Sequence, residues 1–146
     1  MSGEGKMYRR ILVAVENSPA DEAILKHIVP LAQITGAEVL LVHVADGFAA
    51  RHFDDLKLRE SEEIVADRAY LNDVANQLAA QALRVSTELA MGDPATELIR
   101  VANERHADLI AMSTHGHRFL NDLIHGTTVN RVRHEVTIPV LLLRAH

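Results

Sequence analysis

The sequence predicts an α/β fold: a doubly wound, mostly parallel five-stranded sheet with helices on both faces. Short apolar runs alternate with segments of helical periodicity in the order β-α-β-α-β-α-β-α-β, the pattern of such sheets. Apolar residues make up 48% of the chain and aromatic residues only 3%, so the core is aliphatic, as suits strands covered on both faces. One domain over residues 1–146 is expected, with a flexible terminus at 1–7.

The first strand and the first helix have clear signals. Residues 11–15 form a continuous apolar run, which favours a strand buried on both faces. Ser18 is predicted to cap the next helix, with Pro19 at its first position and Gly36 at its end. Apolar residues recur at helical spacing between these signals, so one helix face is expected to pack on the sheet.

A second strand, a connection and a long helix are predicted next. Residues 38–44 are again mostly apolar and indicate a buried strand. Residues 45–59 lack a clear period and are predicted to form a long, partly mobile connection, a kind of segment that often lies near a ligand site. Over residues 58–83 the apolar side chains return at helical spacing, which predicts an amphipathic helix.

An exposed strand and a shorter helix follow. Residues 84–89 alternate between polar and apolar side chains, which favours a strand near the edge of the sheet. Asp93 is predicted to cap the third helix and Pro94 to open it. The helix is predicted to end near His106.

The last part of the chain is predicted to hold two strands with a helix between them. Residues 108–112 indicate the fourth strand, and residues 138–143 the fifth. Thr127 or Thr128 is predicted to cap the fourth helix, whose apolar residues again keep helical spacing.

Charge and composition narrow the class of function. The formal net charge is −5, which disfavours binding to the phosphate backbone of nucleic acid. The chain has no cysteine, so disulfides and thiolate chemistry are excluded. The apolar runs are too short to span a bilayer, and the first residues lack the apolar core of a secretory signal. A cytoplasmic protein with neither a membrane nor a nucleic-acid partner is expected.

The strongest functional signal follows the fourth strand, where Gly116, Gly126, Thr127 and Thr128 are predicted to lead into a helix. Glycines let a phosphate approach the backbone, and a helix amino terminus offers unpaired N–H groups and partial positive charge. The segment therefore predicts a phosphate-binding loop. The alternative is a tight turn without a ligand, since the chain has neither a Walker GxxxxGK[ST] nor a Rossmann GxGxxG motif.

Histidines are frequent, with nine in 146 residues. His115, His117 and His125 lie in or beside the loop, where imidazoles can contact phosphate, bind a divalent metal or stay solvated. No HxxxH pair lies on a predicted helix, so no metal site is predicted. His43, within an apolar strand, is interpreted as a hydrogen-bonded core or pocket-rim side chain.

No group of residues predicts catalysis. Ser113 and Thr114 lie close to His115 in sequence, but a nucleophilic triad also needs an orienting third group and an oxyanion pocket. The adjacent carboxylates Asp54 and Asp55 cannot face each other across a substrate. Binding, rather than turnover, is the expected activity, and no catalytic residue is assigned.

The spacing of the loop resembles the nucleotide loop G-x2-G-x9-G-[ST] of the universal stress protein A family. The four positions are Ser113, Gly116, Gly126 and Thr127, and the resemblance extends over residues 7–144. The other landmarks of the family lie at residues 11–16 with Ser18, at 42–44, at Gly92 and Pro94, at 108–112 and at 138–143.

This resemblance implies a Rossmann-like fold of the adenine nucleotide alpha hydrolase type, with strand order 3-2-1-4-5. It also implies a homodimer, often formed through the C-terminal strand, and in one branch of the family bound ATP or AMP, with or without magnesium. Carried over by position, the site would comprise Ala14, Val15 and Glu16 around the adenosine, Val44 and Met112 at the adenine, Ser113, His115 and Gly116 at the ribose and α-phosphate, and Gly126, Thr127 and Thr128 at the outer phosphates.

Two residues depart from the pattern of the nucleotide-binding branch. Glu16 stands where that branch usually has Asp, and its longer carboxylate can still accept from a ribose hydroxyl if the loop gives it room. Ser113 stands where the first loop glycine is expected. Its side chain would either crowd the ribose or, if its φ is not positive, offer the ribose a hydroxyl.

Three hypotheses follow. The first is a cytoplasmic, stress-response regulatory dimer whose nucleotide occupancy alters a surface for a protein partner that the sequence does not identify. The second is an interaction and dimerisation module of the same fold that binds no nucleotide because of Ser113. The third is slow ATP hydrolysis or phosphate transfer.

Overall fold

The computed structural model describes residues 7–46, 53–114 and 122–145. Three predicted features lie wholly or partly outside these ranges. They are residues 1–6 of the predicted terminus, part of the predicted connection after the second strand, and His115 and Gly116 of the predicted phosphate-binding loop, which we call the glycine loop. The elements that it describes are the strands β1 (Arg10–Ala14), β2 (Glu38–Asp46), β3 (Val85–Gly92), β4 (Leu109–Thr114) and β5 (Val140–Arg144), and the helices α1 (Ala20–Thr35), α2 (Phe53–Ala79), α3 (Pro94–Glu104) and α4 (Asp122–Glu135).

The five strands form one parallel sheet of order β3-β2-β1-β4-β5. The predicted fold class and the strand order that the family resemblance implied are therefore confirmed. The order reverses between β1 and β4, because the chain first moves outward through β2 and β3 and then crosses to the other side. Ligands of open α/β sheets bind beyond the carboxyl ends of the strands at such a reversal, so the ends of β1 and β4 mark the place to examine.

Two aliphatic clusters hold the helices on the sheet. On one face, α1 and α2 pack on side chains such as Ile11, Val13 and Leu41. On the other face, the cluster includes residues of α3 and α4 together with Leu12 and Leu40. Successive residues of a strand point to opposite faces, so both faces of the central strands are buried. This explains why these strands read as continuous apolar runs in the sequence.

Two of the predicted helix ends are confirmed. Gly36 follows the last residue of α1 with a φ of 75°, and its N–H donates to the carbonyl of Ala32 at 2.8 Å. Glycine adopts this left-handed conformation without the strain that a Cβ brings. At the start of α3, the carboxylate of Asp93 accepts from the N–H of Thr96 at 3.0 Å, as a cap does. Across the described ranges, none of the helices meets the length and hydropathy that a bilayer span requires.

Several predicted boundaries are wrong, among them the end of β2, the start of α2 and the start of α4. The connection after β2 was predicted to extend over residues 45–59, whereas β2 continues to Asp46 and α2 begins at Phe53. Strand β2 is longer because it pairs with β3 along its whole second half, a contact that local periodicity does not reveal. Helix α4 begins at Asp122, so neither Thr127 nor Thr128 caps it. The glycine at 126 suggested a break, but glycine within a helix costs only about 1 kcal/mol.

Candidate functional site

The turn between β1 and α1 lies at the strand-order reversal and is built around one buried carboxylate. The backbone N–H groups of Glu16, Asn17 and Ser18 donate to Asp21, at distances of 2.8 to 3.4 Å. Asp21 is only 2% exposed. Asn17 has a φ of 61°, in the left-handed region that asparagine tolerates better than most residues. These contacts define the backbone conformation on which Glu16 sits.

The side chain of Glu16 is held beside the start of α1. Its Oε2 accepts from the hydroxyl of Ser18 at 3.0 Å. The Oγ of Ser18 accepts in turn from the N–H of Ala20 at 3.3 Å. The predicted helix start is therefore wrong by one residue, since Pro19 occupies the N-cap position without a side-chain cap hydrogen bond and the helix begins at Ala20. Ser18, predicted as the cap, still contacts the helix start through its hydroxyl. The half-buried Glu16 carboxylate thus has a defined place at the end of β1.

A tyrosine of α2 contacts the same buried carboxylate. The hydroxyl of Tyr70 donates to Asp21 at 2.5 Å. Burial, together with this hydrogen bond and the nearby charges of Asp21 and Glu16, raises the pKa of Tyr70 well above its usual range. The phenol therefore stays protonated and remains a donor to Asp21.

A histidine of β2 lies between the end of β1 and α2. The Nδ1 of His43 is 2.9 Å from the carbonyl oxygen of Val15, and its Nε2 is 3.1 Å from Asp67. Because a carbonyl oxygen only accepts, Nδ1 carries a proton in this contact. Asp67 also accepts from the side-chain amide of Asn17 at 3.2 Å. His43 is thus a hydrogen-bonded side chain at the rim of the site, in agreement with its interpretation from the sequence.

The residues expected around adenosine divide between the two faces of the sheet. Ala14 and Val44 are partly buried and pack against the cluster under α3 and α4, to which Met112 also belongs. Val15 lies in the cluster under α1 and α2, and its N–H donates to the carbonyl of Val42 at 2.9 Å. The structure therefore places Ala14, Val44 and Met112 on one face and Val15 on the other.

Ser113 is accommodated within β4 without backbone strain. The non-glycine residues with positive φ in the described ranges are Asn17, Ala82 and His106, so Ser113 has the ordinary extended conformation. It is 6% exposed, and its hydroxyl donates to the carbonyl of Ala20 at 3.4 Å, a long and weak hydrogen bond. The side chain is directed at α1, an arrangement that neither of the two sequence-based expectations for this residue included.

The residues expected at the outer phosphates lie in the second turn of α4. Gly126 and Thr127 are exposed, and Thr128 is buried. Among the atoms that the structure describes, none lies within 4 Å of a Cβ added to Gly126. In a helix that begins at Asp122, the backbone N–H groups without a helical partner belong to the first turn, before Gly126. His115 and Gly116, the other predicted phosphate residues, lie outside the described residues.

A metal has no candidate ligand set among the side chains that the structure describes. No group of three or more histidine, aspartate and glutamate side chains is placed there to hold an ion. His115 and His117, and the side chain of His125, lie outside this described part. The predicted involvement of loop histidines with phosphate or metal stays a prediction.

Sequence reasoning missed Asp21, Tyr70 and Asp67 as parts of the site. From the sequence, Asp21 is a charge in the first turn that complements the helix dipole, and the polar side of an amphipathic helix normally faces solvent. One signal was available, because Asp67 and Tyr70 are three residues apart and therefore share a helix face. Their contact with the turn after β1 joins distant parts of the chain, and periodicity alone does not predict it.

Solved universal stress protein structures share this fold. A protein of Methanocaldococcus jannaschii has a TM-score of 0.80 and 23% identity, over 96% of this chain and 98% of that chain. UspA of Lactobacillus plantarum has a TM-score of 0.75 and 27% identity, over 94% and 98%. A universal stress protein in complex with cAMP has a TM-score of 0.66 and 18% identity, over 94% of this chain and 97% of that chain. A universal stress protein from Archaeoglobus fulgidus in complex with dAMP has a TM-score of 0.68 and 21% identity, over 93% of this chain and 98% of that chain.

The relationship extends to the sequence. A universal stress protein of Methanothermobacter thermautotrophicus is 30% identical over 145 residues, which covers 95% of this chain and 97% of that protein. The model of the universal stress protein family matches residues 7–144, the range over which the glycine loop and the strand landmarks resemble the family. The chain therefore belongs to the universal stress protein family.

Proposed function

We propose that this protein binds an adenine nucleotide beyond the carboxyl ends of β1 and β4 and acts as a cytoplasmic regulatory dimer in the stress response. The observation that carries the proposal is the position of Glu16. Its carboxylate lies at the strand-order reversal, on a turn organised by buried Asp21. A carboxylate at the end of a central strand can accept from ribose hydroxyls.

The two departures from the family pattern are compatible with this proposal. The longer side chain of Glu16 has room, since it folds back to the hydroxyl of Ser18 at 3.0 Å. Ser113 directs its hydroxyl to Ala20, so its side chain packs against α1 and does not extend past the end of β4. Neither residue therefore gives a steric reason against a ribose at this edge of the sheet.

An adenine ring is the base that we propose for the site. Ala14 and Val44 are partly buried apolar side chains on one face of the sheet, next to the buried Met112, and a flat base requires apolar surroundings of this kind. Two proteins of the same fold were solved with adenine nucleotides, one with cAMP and one with dAMP. We propose AMP or ATP as the ligand, with magnesium accompanying ATP and phosphates near His115, Gly116, Gly126, Thr127 and Thr128.

Titration calorimetry with AMP and ATP, each with and without magnesium, tests the proposal. We expect micromolar affinity for at least one of them. Glu16→Ala should weaken binding about tenfold or more, because hydrogen bonds to a charged group contribute about 1.5–3 kcal/mol. Glu62→Ala, which removes an exposed carboxylate of α2, should leave the affinity unchanged. Wild-type protein that gives no binding heat under any of these conditions refutes nucleotide binding.

The second candidate function is an interaction module of the same fold that binds no nucleotide. The start of α4 at Asp122 favours it, because the backbone N–H groups of Gly126, Thr127 and Thr128 then point at carbonyls of the first helical turn. These groups are less accessible to phosphate than they would be at a helix start. The calorimetric experiment separates the two candidates, since only the first predicts binding heat.

We propose that the dimer forms through β5. This strand is an edge of the sheet, and the side chain of Leu142 is 39% exposed. An exposed apolar edge strand is a template for pairing with another strand, and proteins usually cover or charge such an edge. A second copy of the chain would cover it.

A further inference from the structure

A hydrogen-bonded network connects the turn after β1 to α2, and it extends beyond the contacts that begin α1. We call it the α2 tie. Its members are Asn17, Asp21, His43, Asp67 and Tyr70.

Asp21 is the centre of the first half of the α2 tie. A carboxylate at 2% exposure is stable only when its oxygens accept hydrogen bonds. Three donors are backbone N–H groups of the turn, and these would suffice for a capped helix start. The fourth donor is the hydroxyl of Tyr70, 49 residues further along the chain. The position of α2 is thereby linked to the backbone of Glu16.

His43 and Asp67 form the second half of the α2 tie, through separate atoms. His43 contacts the carbonyl of Val15 with one ring nitrogen and Asp67 with the other, and Asp67 also accepts from Asn17. The side chains of both His43 and Asp67 are largely buried. The residues immediately before and after Glu16 are therefore each connected to α2, directly or through one side chain.

The backbone of the turn depends on these contacts. Asn17 lies in the left-handed region, at a φ of 61°, and a non-glycine residue keeps that conformation only where its surroundings hold it. Asn17 donates from its backbone to Asp21 and from its side chain to Asp67. When the contacts to α2 are removed, we expect this residue to leave the strained conformation more often and to displace Glu16 with it.

We propose that Tyr70 and Asp67 are positioning residues for the nucleotide site, which hold the turn so that the carboxylate of Glu16 meets the ribose. Nucleotide binding and the packing of α2 on the turn then stabilise each other, because both require the same turn conformation. This inference rests on the proposed nucleotide binding and adds α2 as the element that regulates it.

Tyr70→Phe tests the inference with the smallest change, because it keeps the ring and removes only the hydroxyl that donates to Asp21. We expect the Kd for AMP to rise about three- to tenfold, the effect of losing one hydrogen bond that organises the site. Tyr8→Phe is the matched control. Tyr8 is the other tyrosine of the chain and packs against the same cluster, but it precedes β1 and therefore lies at the amino-terminal ends of the strands, away from the turn that carries Glu16. Its substitution should leave the Kd unchanged.

A structural role alone would not change the affinity of fully folded protein, so both variants are titrated at a temperature where unfolding is negligible. Hydrogen exchange of the amides of Glu16, Asn17 and Ser18 provides the second readout. We expect faster exchange at these amides in Tyr70→Phe than in the wild type or in Tyr8→Phe. Asp67→Asn, which keeps the shape of the side chain and removes its charge, should change both readouts in the same direction.

The possible outcomes separate this inference from the proposed function. Wild-type protein without affinity for AMP or ATP refutes the proposed function and this inference together. Wild-type binding with an unchanged Kd in both Tyr70→Phe and Asp67→Asn overturns the inference alone. A higher Kd with unchanged exchange at the three turn amides also overturns it, because the turn would not be the cause.

Discussion

The backbone conformations of Ser113 and Gly126 determine which role each residue can have at the site. Ser113 is in an extended strand, where a side chain is favourable and no glycine is needed. Gly126 is in a helix, where glycine is less favourable than alanine by about 1 kcal/mol. The described part of the chain gives no steric reason for its presence, since no atom there would meet an added Cβ. A glycine in such a position suits the close approach of a ligand, and phosphate is the group that we propose.

Gly126→Ala should therefore have two opposite effects. The ligand-free protein should become more stable by about 0.5–1 kcal/mol, because alanine restricts the unfolded chain and favours the helix. The affinity for ATP should fall, because the added methyl group occupies space that we assign to an outer phosphate. The affinity for AMP, which has only the α-phosphate, should stay close to that of the wild type. Urea unfolding gives the first quantity, and titration calorimetry gives the second.

The matched control for this experiment is Asn130→Ala, at an exposed position of the same helix. Alanine is also the better helix former there, so a stabilisation of about 0.5 kcal/mol is expected, with unchanged affinity. Unchanged affinity for ATP in Gly126→Ala would remove Gly126 from the proposed site. A loss of stability in that variant would contradict a helical backbone at this residue.

At the residue scale, the sequence predicted groups whose signal is local and missed those that depend on packing. Glu16 could be found because it directly follows an apolar strand at a landmark of the family. The contact between Asp21 and Tyr70 could not, because it depends on how α2 packs beside α1. The direction of the Ser113 side chain could not be predicted from the sequence either, since its partner, the carbonyl of Ala20, lies in another element.

At the element scale, the buried strands were predicted closely, and so was the helix start at Pro94, where a cap and a proline mark it. The bounds of β1, β4 and β5 lie within two residues of the prediction, because short apolar runs with distinct flanks define a buried strand well. The start of α4 was predicted near residue 127, since glycine and threonine often mark a helix end. Local signals of this kind contribute about 1 kcal/mol each, so other parts of the segment can outweigh them.

Glu38 connects three neighbouring strands through one carboxylate. It accepts from Arg10 of β1 at 3.0 Å and from Ser86 of β3 at 2.7 Å. Burial raises the pKa of Glu38, but the hydrogen bonds from Ser86 and Arg10 and the charge of Arg10 outweigh burial. The pKa of Glu38 in the folded protein therefore lies below its ordinary value of 4.5. This carboxylate should link the stability of the sheet to pH.

The direction of this dependence follows from the lowered pKa of Glu38. Its contribution is fully present above pH 4.5 and is lost as the pH falls through the lowered pKa of the folded state. Glu38→Gln should thus be less stable than the wild type at pH 7, by about 1–2 kcal/mol, and should lose less stability on acidification. Urea unfolding midpoints between pH 7 and pH 3 measure both effects.

An exposed carboxylate serves as the control for the pH experiment. Glu62→Gln on α2 should leave the pH profile of stability close to that of the wild type. If the profiles of Glu38→Gln and wild-type protein run parallel down to pH 3, Glu38 does not contribute to the acid sensitivity of the sheet.

At the scale of the whole molecule, the alternation of elements predicted a parallel, doubly wound sheet because parallel strands need crossover helices. Alternation does not determine the strand order, since each crossover can place the next strand on either side. The order 3-2-1-4-5 came from the family resemblance, and the structure confirms it. The assembly of two chains depends on surfaces that one chain exposes, and these follow from the strand order. Strands β3 and β5 are the two edges through which the sheet can extend.

Substitutions on the two edge strands test whether the proposed dimer forms through β5. Wild-type protein should show twice the protomer mass of 16.1 kDa by light scattering. Leu142→Lys on β5 should give the protomer mass, because a lysine at an edge opposes strand pairing. Met91→Lys on β3 is the control, since Met91 is exposed to a similar extent, 41% against 39%, and it should stay dimeric. Dissociation of Met91→Lys alone would place the interface at β3, and wild-type protein at the protomer mass would refute the dimer.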